Sequence, residues 1–170
     1  MRAPPPVLAH RRLLLNDEAA TAALAQRLAA ALSAPALVFL SGDLGTGKTT
    51  LVRALLRSLG FEDRVKSPTF TLVEPYNLSS FDLYHFDLYR FSSDEEWRDA
   101  GFDDYLRSGA VCVVEWPERA AGALPVPDLW LRLQFAAGSD DARAVDVDAC
   151  TDAGCRWLTS VADAGSDMPP

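Results

Sequence analysis

Eight consecutive residues, Gly42-Asp43-Leu44-Gly45-Thr46-Gly47-Lys48-Thr49, satisfy the spacing G-x-x-x-x-G-K-[ST] in full. Each residue type has a chemical reason to stand there. Glycines reach backbone conformations closed to other residues, so successive N–H groups can turn inward onto phosphate oxygens. The N-terminus of a following helix adds free N–H groups and its positive dipole end. Lys48 supplies a point charge for the β and γ phosphates, and Thr49 a hydroxyl for Mg²⁺. The pattern predicts binding of a nucleoside triphosphate with Mg²⁺, the expected contacts being Gly45, Thr46, Gly47, Lys48, Thr49 and Thr50, with Thr49 also on the metal.

Two acids qualify as metal partners. Glu115 ends the apolar run "AVCVVE" and Asp87 ends "YHFD", each at the C-terminal end of a strand, where α/β folds bind their ligands. One would hold Mg²⁺, directly or through water. The other would orient the attacking water, since phosphoryl transfer asks mainly for positioning and charge neutralisation. Lys48, Asp87 and Glu115 are therefore the catalytic candidates, and Thr49 and Glu115 the metal ligands. Thr69, in a loop after Pro68, is either a γ-phosphate sensor or a plain turn residue. His85 alternates with Tyr84 and Phe86, and with no second histidine nearby it reads as a core or surface residue rather than a ligand. Trp116, next to Glu115, is expected to report on the nucleotide site.

The elements needed to hold these groups are legible around them. "ALVFL" (36–40) is a continuous apolar run, as expected of a strand covered on both faces. A helix follows from about Thr49 to Leu59, closed by Gly60. Upstream, Asn16 or Asp17 caps a helix carrying Leu24, Leu28 and Leu32 on one face, and "LLL" (13–15) is a short strand or a hydrophobic staple. Downstream we expect a loop at 64–69, then strands at 70–76 and 81–87 paired antiparallel around a turn at 77–80. Ser93 and Glu96 form a capping box for a helix near 94–100, and a short helix covers 102–107. "AVCVVEW" is a second buried strand, "DLWLRLQF" and "RAVDVDA" a further pair, and "DAGCRWLTSVA" a last helix. The expected organisation is a flexible segment at 1–12, one P-loop domain over 13–163 and a disordered tail at 164–170.

Composition narrows the function. The formal charge is −8, from 24 acidic and 16 basic residues, which argues against a surface that grips bare nucleic acid by neutralising its phosphates. No apolar run approaches the roughly 18 residues of a membrane span. The three cysteines, Cys112, Cys150 and Cys155, form neither a disulfide framework nor a zinc spacing, which suits a reducing cytosol. Among P-loop machines, the guanine strings of GTPases and the LSGGQ-like signature of transporters are absent. The arginines Arg90, Arg98, Arg107 and Arg119 are too scattered for a kinase lid. A small-molecule kinase with Asp87 as base, and a nucleotide sensor without turnover, remain alternatives to an ATPase.

In order and spacing, "GDLGTGKTTLVR", "VKSPTFTLVEPY", "YHFDLYR" and "VCVVEWPER" closely resemble the bacterial TsaE (YjeE) family, over about Asp17 to Arg143. The resemblance implies an α/β P-loop domain with a mixed sheet, parallel in its core and antiparallel at its flanks, with helices on both faces. It implies ATP and Mg²⁺, weak intrinsic hydrolysis and a cytoplasmic role in threonylcarbamoyladenosine (t6A) modification of tRNA. It also implies a protein partner, the TsaB–TsaD pair, which the ATP cycle resets between turnovers, so that tRNA is met only through the complex and no membrane is involved. By position, Lys48 and Thr49 become the phosphate and metal residues, Glu115 the acid at the metal and Asp87 the other essential acid. Asp17 and Arg143 match positions near the nucleotide. The family usually has a small residue at the position of Thr46 and tyrosine at that of Phe70.

Overall fold

The structure, a computed structural model, describes residues 4–162 and 166–167. Eight strands form one mixed sheet: β1 (Ala9–Leu15), β2 (Ala36–Ser41), β3 (Val73–Asn77), β4 (Asp82–Asp87), β5 (Val111–Glu115), β6 (Leu129–Phe135), β7 (Arg143–Ala149) and β8 (Ser166–Asp167). Their order across the sheet is β3-β4-β5-β2-β6-β7-β1-β8. The central four, β4-β5-β2-β6, run parallel, while β3 and then β7, β1 and β8 join antiparallel. This is the expected mixed sheet with a parallel core.

Both faces of that core are covered, which is why β2 and β5 read as unbroken apolar runs. Alternate residues serve opposite sides. Val38, Leu40, Val111 and Val113 face the helices α1 (Glu18–Ala31), α2 (Lys48–Ser58) and α5 (Asp152–Ala162), meeting Leu24, Leu28, Leu51, Leu55, Trp157 and Leu158. Leu37, Phe39, Cys112 and Val114 face α3 (Asp94–Asp99) and α4 (Asp103–Arg107), in a cluster with Phe86, Trp97 and Phe102. Trp97 is fully buried and donates its indole N–H to Asp103 at 2.8 Å, so its one polar atom is satisfied.

The expected elements appear, with shifted edges. Asp17 is the cap of α1, accepting from the Ala20 N–H at 2.8 Å. Gly60 follows α2 with φ 88°, the left-handed residue expected there. β3 starts at Val73 rather than residue 70, because Leu72 N–H bonds back to Pro68 O at 2.7 Å and Leu72 itself is left-handed. Ser93 caps α3 and its amide reaches Glu96, but it makes no side-chain cap bond; Glu96 accepts instead from the Ser92 amide at 2.8 Å and its hydroxyl at 2.6 Å.

Two terminal expectations need correction. Residues 9–12, placed in a flexible segment, belong to β1, held by a full antiparallel register with β7 and by Leu8 N–H on Ala149 O at 2.8 Å. His10 in particular lies in this strand and bonds Asp148 at 2.7 Å. In the expected disordered tail, Ser166–Asp167 pair with Leu13 and Leu14 of β1. Residues 1–3, 163–165 and 168–170 lie outside the described residues.

Candidate functional site

The phosphate loop joins β2 to α2. Gly42, Gly45 and Gly47 have φ angles of 140°, 82° and 100°, all in the range that favours glycine, and Gly47 is the residue preceding α2. At Gly42 the space is as demanding as the angle: an added Cβ would stand 2.3 Å from Leu133 O. The loop thus delivers the first N–H groups of α2 to the ends of the parallel strands.

Lys48 is buried, and its Nζ donates to Gly42 O at 2.6 Å and Asp43 O at 3.0 Å. The same ammonium lies 4.1 Å from the centre of the Trp116 ring. Burial draws the lysine below its ordinary range, against the pull of Glu115, Glu118, Asp87 and Asp43. Trp116 reaches this position from a left-handed turn, φ 59°, immediately after β5.

The acids come from neighbouring parallel strands whose register sets Asp87 opposite Glu115. Thr49 donates its hydroxyl to Glu115, 3.0 Å from Oε1 and 3.2 Å from Oε2. Asp87 Oδ1 accepts the Tyr89 N–H at 3.0 Å, and Oδ2 lies 3.4 Å from the Thr69 hydroxyl. Burial pushes the Asp87 carboxyl above its usual range, and the Glu115 charge adds to this, although the Tyr89 amide opposes it. Lys48, Thr49, Thr69, Asp87, Glu115 and Trp116 line one cleft, with Gly45, Gly47 and Thr50 as its floor.

A second cleft shares that floor. Asp17, Thr46, Asp141 and Arg143 border it on the far side of the loop. Arg143 braces the loop, donating Nε to Thr46 O at 3.1 Å and Nη1 to Asp140 O at 2.7 Å, with its guanidinium 4.5 Å from the centre of the Phe135 ring. Thr46, where a small residue was expected, turns its hydroxyl back to Asp43 O at 2.8 Å and so fits the loop. Phe70 is 78% exposed under the Arg90 guanidinium. All ten expected site residues therefore border one or other of two adjoining clefts that share Gly45, Gly47 and Thr50.

The donor set fits Mg²⁺. It offers hard oxygens, one hydroxyl and carboxylates, and among the described residues no group of three or more His, Cys, Asp or Glu stands ready to cage a metal alone. Magnesium keeps several waters and is shared between one or two carboxylates and substrate phosphates. Sequence reasoning passed over one contact: fully buried His85 holds Glu115 Oε1 through Nε2 at 2.7 Å. The signal was its place two residues before Asp87, on the same face of β4.

The sequence model of the family "Threonylcarbamoyl adenosine biosynthesis protein TsaE" matches residues 15–145. The chain belongs to the TsaE family. Among relatives, a Haemophilus influenzae protein named tRNA threonylcarbamoyladenosine biosynthesis protein TsaE is 44% identical over 118 residues, covering 69% of this chain and 73% of its own. A Streptomyces coelicolor protein of the same name is 43% identical over 142 residues, 81% and 93% of the two chains. The crystal structure of YdiB from Bacillus subtilis superposes with a TM-score of 0.75 at 28% identity, covering 91% of this chain and 95% of that one. TsaE membership and this fold make the chain a P-loop protein of the nucleotide-binding kind.

Proposed function

We propose that this TsaE-family chain is a Mg²⁺-dependent ATPase of t6A biosynthesis, acting on the TsaB–TsaD transferase complex to reset it between turnovers. The observation that carries the reading is the convergence of Lys48, Thr49, Asp87 and Glu115 on one cleft at the phosphate loop. Lys48 leaves its loop carbonyls for the β and γ phosphates. Thr49 and Glu115 hold the cation, which when bound neutralises charge on the phosphates. Asp87 orients the attacking water, and the upward pressure on its carboxyl suits it to accept a proton from that water. The loop amides with Thr46 and Thr50 carry the phosphates, and Asp17 and Arg143 border the nucleoside end of the groove.

The acidic balance, −8, suits action through a protein that itself holds the tRNA. Among the described residues no helix is long and apolar enough to cross a membrane, and a cytoplasmic setting is part of the proposal. Adenine is preferred because the guanine strings are missing. Slow hydrolysis alone, accelerated by a partner that completes the site, is the expected behaviour; groups supplied in trans give ~10³–10⁵ in comparable systems.

Steady-state ATP hydrolysis by the protein alone, then with TsaB–TsaD and tRNA, tests the proposal, with Lys48→Ala as control. Stimulation that disappears in the variant is the expected result. A flat, negligible rate despite ATP binding and complex formation would overturn the ATPase in favour of a nucleotide sensor. Stimulation by a small metabolite instead would point to a kinase.

A further inference from the structure

We propose that His85 is a positioning residue of the cation site, fixing the Glu115 carboxylate through a single donated hydrogen bond. It rests on the reading of Thr49 and Glu115 as the magnesium ligands.

Three observations converge on it. The His85 ring is fully buried, and its Nε2 stands 2.7 Å from Glu115 Oε1. The other ring nitrogen, Nδ1, is a buried polar atom with no hydrogen-bond partner among the described residues. The third is register: His85 lies opposite Val113 as Asp87 lies opposite Glu115, so His85 reaches Glu115 diagonally across the β4–β5 step on the α2 face.

The chemistry of the two atoms assigns the tautomer. A carboxylate only accepts, so Nε2 must carry the hydrogen. Nδ1 is then left buried without a hydrogen-bond partner among the described residues. A phenylalanine or leucine would fill the same space without that orphan, so packing alone does not explain a histidine here. What the histidine adds is a rigid donor aimed at one carboxylate oxygen. Oε1 takes the His85 bond and a Thr49 contact, while the one hydrogen bond to Oε2 among the described residues is from the Thr49 hydroxyl at 3.2 Å. The carboxylate plane is thereby set, with Oε2 as the oxygen left for the cation. Removing such an outer partner of a metal ligand typically lowers metal affinity 10–100-fold.

His85→Leu and His85→Gln separate donation from packing, because only glutamine can return an N–H near the place of Nε2. Nucleotide affinity is measured in EDTA, and Mn²⁺ affinity of the nucleotide complex by electron paramagnetic resonance. His85→Leu should bind nucleotide in EDTA within about twofold of wild type and lose about 10–100-fold in Mn²⁺ affinity. His85→Gln should recover most of that loss. Unchanged Mn²⁺ affinity in His85→Leu, or an equal loss in both variants at equal unfolding midpoints, would overturn the role.

A readout on the unsubstituted protein needs no variant to fold. The chain has two histidines, so ¹⁵N chemical shifts of the imidazoles, with His10→Gln for assignment, read the tautomer directly. Hydrogen on Nε2, with a shift that responds to Mg²⁺ added to the nucleotide complex, is expected; hydrogen on Nδ1 would refute the assignment. Wild-type protein that binds nucleotide but no Mn²⁺ would instead overturn the magnesium reading of Thr49 and Glu115, and the His85 role with it.

Discussion

Gly47 and Gly42 share positive φ angles and differ in everything around them. Where a Cβ would stand on Gly47 there is open space, with no heavy atom within 4 Å. On Gly42 it would meet Leu133 O at 2.3 Å and the Thr46 hydroxyl at 2.8 Å. Gly47→Ala therefore carries backbone strain alone, roughly 1–2 kcal/mol for a left-handed alanine. Gly42→Ala carries comparable strain and also drives a methyl into a carbonyl of β6 that is fixed in the sheet, and such overpacking adds roughly 1–3 kcal/mol. At roughly 2–4 °C per kcal/mol for a chain of this size, Gly42→Ala should melt about 2–12 °C below Gly47→Ala. Urea unfolding followed by circular dichroism, beside thermal melts, checks the order, and equal m-values would show that both unfold from a compact native state. The effect continues into the site, since Gly42 O accepts from Lys48: Gly42→Ala should weaken nucleotide binding even in protein that remains folded. Two variants melting together, or Gly47→Ala the weaker, would refute the account of the loop as wedged against β6 at its first glycine.

Asp87 gives a pH-dependent prediction. Its folded pKa is raised, so between the unfolded and folded values the native state keeps a proton that the unfolded chain gives up, and stability falls as pH rises through that window. Asp87→Asn keeps an oxygen for the Tyr89 amide and removes the buried charge. It should raise the unfolding midpoint of the nucleotide-free protein at pH 7, with the gain fading on acidification through the window between the raised folded value and the ordinary carboxylate range and absent below it; a gain independent of pH would count against burial as the cause. Asp17→Ala removes the cap of α1, at a cost of about 0.5–2 kcal/mol. Calorimetry should show a lower melting temperature, and equilibrium dialysis a weaker nucleotide complex; an unchanged melt would mean that the Ala20 bond contributes nothing.

The legible parts of this molecule were those whose determinants are close in sequence. The phosphate loop announces itself in eight residues, and the runs ending in Asp87 and Glu115 mark strand ends because an acid stops an apolar stretch. The antiparallel pairs β3–β4 and β6–β7 were legible, but which parallel strands lie beside one another was not. The register that sets Asp87 opposite Glu115 joins residues far apart in the chain, and the same register brings His85 to Glu115. An alternation such as "YHFD" tells which face a side chain shares, not what waits there. β1 was hidden for a related reason. Its first half, "AHRR", looks like a solvated start until β7 supplies Asp146 and Asp148 for His10 and Arg12. Local boundaries slipped where a turn competed with a strand, as at Leu72, and where two adjacent serines could serve one glutamate, as at Ser92.

The bonds from Lys48 to Gly42 O and Asp43 O carry a consequence for selectivity. A lysine already donating to its own loop, with an aromatic face beside it, is not a vacant charge waiting for an anion. A phosphate entering the groove must exchange with those carbonyls, and the gain is the difference between two satisfied arrangements. A lone inorganic phosphate offers little beyond the swap. On the proposed function, a magnesium nucleotide would bring contacts on both sides of the loop at once, the cation at Thr49 and Glu115 and the nucleoside toward Asp17 and Arg143. The Lys48 bonds to the loop would thus act as a threshold on that reading: a ligand long enough to engage both clefts recovers more than it displaces.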